Sequence, residues 1–140
     1  MKNLILVIFI LLNTSSVEWN NDYEEVIKEA QSSDKNILIY FSGSDWCKPC
    51  IQMKNLILDT DEFKAYSENN FILYQADFPR LKKNKPSKST EAQNEKLASK
   101  YNQRGVFPLI VILDKDENLL STVEYQNQSK EEFISRLEQN

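Results

Sequence analysis

Two runs of five consecutive apolar residues, Ile37-Leu38-Ile39-Tyr40-Phe41 and Leu109-Ile110-Val111-Ile112-Leu113, constrain this chain more than any other feature. Successive Cβ atoms of a strand point to opposite sides, so a strand with one wet face alternates apolar and polar side chains. A run that is apolar at every position has to be covered on both faces. These segments therefore read as central strands of a sheet with helices on either side.

The rest of the chain supplies those helices. Trp19, Tyr23, Val26, Ile27 and Ala30 recur at three- and four-residue steps, one apolar helical stripe. Lys48 to about Asn69 is helical in pattern with a break near Asp59-Thr60-Asp61, and Phe71 to Asp77 reads as another strand. Arg80 to Lys88 is basic and without periodicity, and Thr90 to Tyr101 is helical again. Leu119 to Glu124 pairs with the second apolar run across an Asp114 to Asn118 turn. Ser129-Lys130-Glu131-Glu132 is a capping box opening a last helix, with Phe133, Ile134 and Leu137 inward. The predicted order is α-β-α-β-α-β-β-α, an α/β fold with a mixed β-sheet and helices on both faces. No internal repeat or interdomain linker is visible, and 140 residues suit one domain.

The first residues read as an address. Lys2 precedes the unbroken apolar run Leu4 to Leu12, and polar, small Asn13-Thr14-Ser15-Ser16 follows. That is the layout of a signal peptide over 1–16, with cleavage after Ser16 and a mature domain over 17–140. Nine apolar residues are about half of the ~20 that span a bilayer, so a permanent transmembrane helix is the weaker reading. The expected location is periplasmic or secreted, an oxidising setting where disulfides persist.

Composition removes most chemistries. The chain has no histidine, so no Ser-His-Asp or Cys-His relay and no imidazole metal site can be built. With 17 basic and 21 acidic side chains the net charge is −4, which argues against a nucleic-acid partner. What remains is Cys47 and Cys50, in Ser42-Gly43-Ser44-Asp45-Trp46-Cys47-Lys48-Pro49-Cys50, between a strand end and a helix start. A sulfur in the first helical turn faces unpaired N–H groups and the positive end of the dipole, which stabilise a thiolate. Cys47 is therefore the expected nucleophile, and Cys50, one turn further in, can attack a mixed disulfide formed at Cys47. Lys48 adds a nearby cation, Pro49 suits a turn that needs no donor, and Trp46 offers an aromatic wall beside an exposed sulfur. A zinc site would require a third and fourth soft ligand that the chain lacks, and a staple closing so short a loop stabilises little.

The strand ending in Tyr40-Phe41, the Trp46-Cys47-Lys48-Pro49-Cys50 element and Gly105-Val106-Phe107-Pro108 before a hydrophobic strand resemble the thioredoxin superfamily, in particular exported bacterial thioredoxin-like proteins. The likeness runs from about Trp19 to Leu137. It implies a thioredoxin-like fold and a thiol–disulfide oxidoreductase with Cys47 and Cys50 as catalytic pair. It also implies a cis Pro108 facing that pair, and Trp46, Phe107 and Pro108 as the surface contacting the substrate. No cofactor is implied, since the cysteines carry the electrons. The partners implied are protein disulfides and, for an exported reductase, a membrane electron-donor protein.

The chain also departs from the family. Thioredoxin has a buried aspartate in the strand before the cysteines, where this chain offers Tyr40 or Phe41. Asp45 reads as a turn residue instead of a base, and Leu109 stands where threonine is usual. The Cys47-to-Pro108 spacing is long, and the excess maps to roughly Phe78 to Gln93, with Arg80, Lys82, Lys83, Lys85 and Lys88 read as a solvated loop, docking of an acidic partner protein being the alternative. The two glycines, Gly43 and Gly105, both fall at motif turns, where backbone geometry excludes a Cβ.

Reduction of protein disulfides is the expected direction, because Pro49 is the thioredoxin-like choice at its position. Oxidation or isomerisation of disulfides, and a non-catalytic binding module held by a structural disulfide, stay open. A soft-metal carrier is disfavoured by the missing histidines and by having only Met1 and Met53 as thioethers. No heptad or unclaimed apolar helix face is visible, so a monomer is expected.

Overall fold

The structure is a computed structural model and describes residues 18–139; the signal-peptide reading of 1–16 lies outside the described residues. The elements are α1 (Tyr23–Ser33), β1 (Asn36–Ser42), α2 (Lys48–Met53), α3 (Asp61–Asn70), β2 (Phe71–Asp77), α4 (Lys88–Tyr101), β3 (Leu109–Leu113), β4 (Leu119–Glu124) and α5 (Lys130–Glu138). A π-helical turn, Lys54–Leu58, extends α2, and a single 3-10 turn, Lys82–Asn84, interrupts the loop before α4. The sheet order is β2-β1-β3-β4. β1 pairs with β2 in parallel and with β3 antiparallel, and β3 pairs antiparallel with β4. The two apolar pentads are thus the two inner strands, and this is the thioredoxin-like architecture.

Strand parity divides the core into two layers. Leu38 and Tyr40 of β1 and Ile110 and Ile112 of β3 pack with Met53, Phe63, Phe133 and Leu137 on the face that also holds both cysteines. Ile37, Ile39 and Phe41, with Val111, pack instead with Val26, Ala30 and Leu97 from α1 and α4. Burying a side chain such as Phe63 or Phe133 completely is worth roughly 1.5–3 kcal/mol, so each layer is held mainly by a handful of such residues.

The helix ends follow local chemistry. Asp22 caps α1 through its carboxylate, Thr60 caps α3, and Ser87 caps α4 by accepting from the Thr90 N–H. That cap starts α4 at Lys88, two residues before the predicted Thr90. Ser129 Oγ accepts from the Glu132 N–H as the capping box predicts, but the Glu132 carboxylate pairs with Arg136 at 2.8 Å, four residues along α5.

Trp19 is a correction. It lies outside α1, in the extended segment whose Asn20 bridges in parallel to Tyr74, and its ring packs on Tyr40, 5.7 Å between centroids. It therefore belongs to the opposite layer from Tyr23, Val26 and Ala30. The spacing that mimicked a helical stripe ends at the Asp22 cap. No helix among the described residues is long and apolar enough to cross a membrane.

Candidate active site

β1 ends at Ser42, and a short loop delivers the chain to α2 with Cys47 as the capping residue. The turn closes through the Trp46 and Cys47 N–H groups, which donate to the Gly43 carbonyl at 3.2 and 2.8 Å. A Cβ on Gly43 would fall inside the Trp46 indole, so only glycine lets the ring lie against this turn. Cys47 sits at the helix cap, just before the first turn, and its Sγ accepts from the Cys50 N–H at 3.3 Å. Cys47 and Cys50 are joined as a disulfide, with Cα atoms 5.2 Å apart. The sulfur pair is less open than the sequence reading held: Cys47 is 4% exposed and Cys50 1%. Lys48 and Pro49 occupy the first two helical positions and are exposed.

Beneath the pair, Tyr40 takes the place that the sequence left between Tyr40 and Phe41. Its buried hydroxyl donates to the Cys50 carbonyl at 2.8 Å, while Phe41 faces the other layer. Burial, with Asp77 and Asp59 nearby, pushes the Tyr40 phenol well above its ordinary value of 10.0, so it stays a neutral donor. No carboxylate occupies this position.

Across from the pair, the Phe107–Pro108 peptide is cis and heads β3. Gly105, at φ +64°, turns the chain into this segment, and Asn102 clamps it by exchanging hydrogen bonds with Val106 N and O at 2.9 Å each. The Phe107 ring packs edge-on against Trp46 and against Phe78, both at 5.6 Å. The Trp46 indole N–H donates to the Phe78 carbonyl at 2.7 Å, which closes a three-ring cluster beside the disulfide.

Two aspartates fix the surrounding loops. Asp77, at the end of β2, accepts from Ser42 Oγ and from the Ser44 N–H and hydroxyl. Asp45 accepts from the main-chain N–H groups of Arg80 and Leu81, each at 2.9 Å, and from Asn84 Nδ2 at 3.0 Å. The Arg80 backbone bond, with those from Asn84 and Leu81, holds the Asp45 carboxyl below its ordinary value. Asp45 is thus a tether between the active-site loop and the long insertion, and the basic stretch is an ordered loop with a 3-10 turn. The Arg80 guanidinium lies 4.1 Å from the Trp46 ring centroid. Among the described residues no cluster of His, Cys, Asp and Glu is arranged to hold a metal ion.

The structure thus brings Trp46, Cys47, Cys50 and Phe107 to one end of the central strands, with Pro108 heading β3. Sequence reasoning did not single out Phe78, Asp77 or the Arg80–Trp46 stacking. Their only early signal was that Asp77, Phe78 and Arg80 lie at or just after the end of β2, a parallel neighbour of β1, whose carboxyl end opens beside the same loop.

A mixed sheet of order β2-β1-β3-β4, with a cysteine pair opening the helix after β1 and a cis-proline opening β3, defines the thioredoxin-like class. The chain belongs to the thioredoxin-like family, whose sequence model matches residues 18–115. It is similar to the disulfide bond reductase DsbH of Chlamydia pneumoniae, 28% identical over 123 residues, covering 88% of this chain and 72% of that one. It is also similar to the thioredoxin-related protein DsbJ of the same organism, 27% identical over 105 residues, 75% of this chain but 29% of that longer protein. The solved structure of a DsbH oxidoreductase superimposes with a TM-score of 0.81 at 26% identity, covering 89% of this chain and 84% of the other.

Proposed function

We propose that this thioredoxin-like thiol–disulfide oxidoreductase works as an exported reductase of protein disulfides. The observation that carries the reading is the Cys47–Cys50 disulfide at a helix cap, with the Cys50 N–H aimed at the Cys47 sulfur. In the reduced form the same N–H and the helix dipole favour a Cys47 thiolate over a Cys50 thiolate. Lys48 adds a cation and Pro49 removes a donor that the turn does not need.

Cys47 attacks one sulfur of a partner disulfide; that bond breaks, a mixed disulfide forms and one partner thiolate leaves. Cys50, deprotonated, then attacks the Cys47 sulfur and releases the second partner thiolate. The partner gains two electrons and two protons, and the enzyme is left as the disulfide. Trp46, Phe107 and Pro108 frame the contact surface, with the Phe107 backbone pairing to an extended partner segment. With Tyr40 under Cys50, the resolving proton leaves to water or to another carboxylate.

The direction is supported by Pro49 between the cysteines and by the likeness to a protein named a disulfide bond reductase. Export is supported by the Lys2, Leu4 to Leu12 and Asn13 to Ser16 pattern. An exported reductase needs a membrane protein to return its electrons, and it acts as a monomer. Equilibration of the pair in defined thiol buffers tests the reading. A reduction potential near roughly −270 mV is expected. A value above about −180 mV would make the protein an oxidase or isomerase. A pair that resists the strongest physiological reductants would be structural.

A further inference from the structure

The loop part of the insertion, residues 78–88, carries Arg80, Lys82, Lys83, Lys85 and Lys88 and no acidic residue, in a chain that is acidic overall. A loop that only keeps a protein soluble has no need of a fixed position. This one is fixed to the residue two before Cys47: Asp45 takes two of its main-chain N–H groups and the Asn84 amide. The Trp46 indole holds its first carbonyl, and the Arg80 guanidinium lies over the Trp46 face, so a cation is set one ring away from the reacting sulfur.

Internal ion pairs take only part of the charge of this loop. Lys85 pairs with Glu91 at 3.2 Å, whereas Arg80, Lys82 and Lys83 make no ion pair among the described residues. The acids near Arg80 are mostly engaged. Asp45 and Asp77 accept from loop donors and Glu91 pairs with Lys85, while Glu95 lines the same cleft as Arg80. Leu81, 49% exposed, lies between Arg80 and Lys82. The result is a rigid cationic rim, with one apolar residue in it, bordering the disulfide.

Resting on the oxidoreductase reading, we propose that this tethered loop selects partner proteins whose disulfide is flanked by an acidic segment, with Arg80 as the specificity-determining residue and Lys82 and Lys83 as its outer contacts. A nucleic acid or an anionic membrane would also meet the charge. Neither presents a disulfide, and the loop is fastened to Asp45 and Trp46, the two residues before Cys47.

Two disulfide-bonded peptides of one sequence, with Glu or Gln at the flanking positions, distinguish the possibilities when reduced by the full-length protein under an external thiol supply. The Glu peptide is expected to have a kcat/KM higher by on the order of tenfold at low ionic strength, falling towards parity in high salt. Arg80→Gln, and separately the double change Lys82→Gln with Lys83→Gln, should each shrink the Glu/Gln ratio. Asp45→Asn, which loosens the tether without removing a cation, should shrink it too. Equal rates on both peptides in the unsubstituted protein, or a ratio that survives Arg80→Gln, would overturn the inference and leave the oxidoreductase reading standing. No turnover of either peptide would sink that reading and this one with it. Vesicles of phosphatidylglycerol and phosphatidylcholine that inhibit more strongly than a Glu-rich peptide lacking cysteine would reassign the rim to a membrane.

Discussion

The two faces of the sheet carry one buried tyrosine each, from neighbouring strands, and the two are held in opposite ways. Tyr74 of β2 lies among side-chain amides of α4: its hydroxyl donates to Asn94 Oδ1 and accepts from Gln93 Nε2, both at 2.5 Å. Asn94 in turn donates to the Asp77 carbonyl at 3.1 Å, so that network fastens the helix after the insertion to the end of β2. Tyr40 of β1, on the other face, donates to a main-chain carbonyl, that of Cys50. One face is cross-linked by polar side chains and sets where the long loop starts and ends. The other is apolar up to the disulfide, and the group beneath Cys50 is the neutral Tyr40 phenol. Scaffold and chemistry are thus divided between the faces, and substitutions on each should be read by different measurements.

The largest effect belongs to the chemical face. Cys47→Ser should abolish insulin reduction, while Cys50→Ala should leave an enzyme that stalls as a mixed disulfide with its substrate, visible as a mass adduct under non-reducing conditions. Loss of both products, or turnover by the Cys47→Ser protein, would contradict the assigned order of attack. Next comes packing on that face. Phe133→Ala empties a fully buried site against Phe63 and should cost about 3–5 kcal/mol by urea denaturation.

On the opposite face Asn94→Ala should cost about 1–3 kcal/mol, because the Asp77 carbonyl and one side of the Tyr74 hydroxyl lose their partner. It should leave the reduction potential of the pair unchanged, and a shifted potential would break the separation of faces. Tyr40→Phe should cost only about 0.5–1.5 kcal/mol, since the Cys50 carbonyl keeps the Lys54 N–H. Both phenols are raised by burial, so the unfolded chain ionises first. Stability should therefore hold below pH 10 and fall as the pH rises above it, more weakly in Tyr40→Phe.

The smallest effect is at Asp45. Its carboxyl is lowered from 3.8, so the tether is complete above that pH and is lost as the pH falls through the lowered value. Trp46 fluorescence should change over that acid range in the native chain and not in Asp45→Asn. A transition centred above 3.8 would refute the tether.

Period and punctuation made most of the scaffold legible. The two apolar pentads announced central strands, Phe71 to Asp77 matched β2 residue for residue, and Ser129 announced α5. The cysteine pair and Gly105-Val106-Phe107-Pro108 were legible because each needs a local geometry that few sequences supply. Trp19 misled because its spacing continued the α1 stripe across a cap that ends the helix. The insertion misled because lysines without periodicity look alike whether solvated or fastened. What fastens them, Asp45, lies 35 residues before the N–H it accepts from.

The sequence by itself determined the strands, the cysteine pair and the class of chemistry, since these follow from side-chain parity and two sulfurs three residues apart. Only the tertiary structure decided which β1 residue lies under Cys50, which rings surround the pair and where the cations of the insertion stand. Parity separates Tyr40 from Phe41, but which of them meets α2 depends on the side of the sheet to which the chain crosses. That side is set by packing between residues distant in the chain.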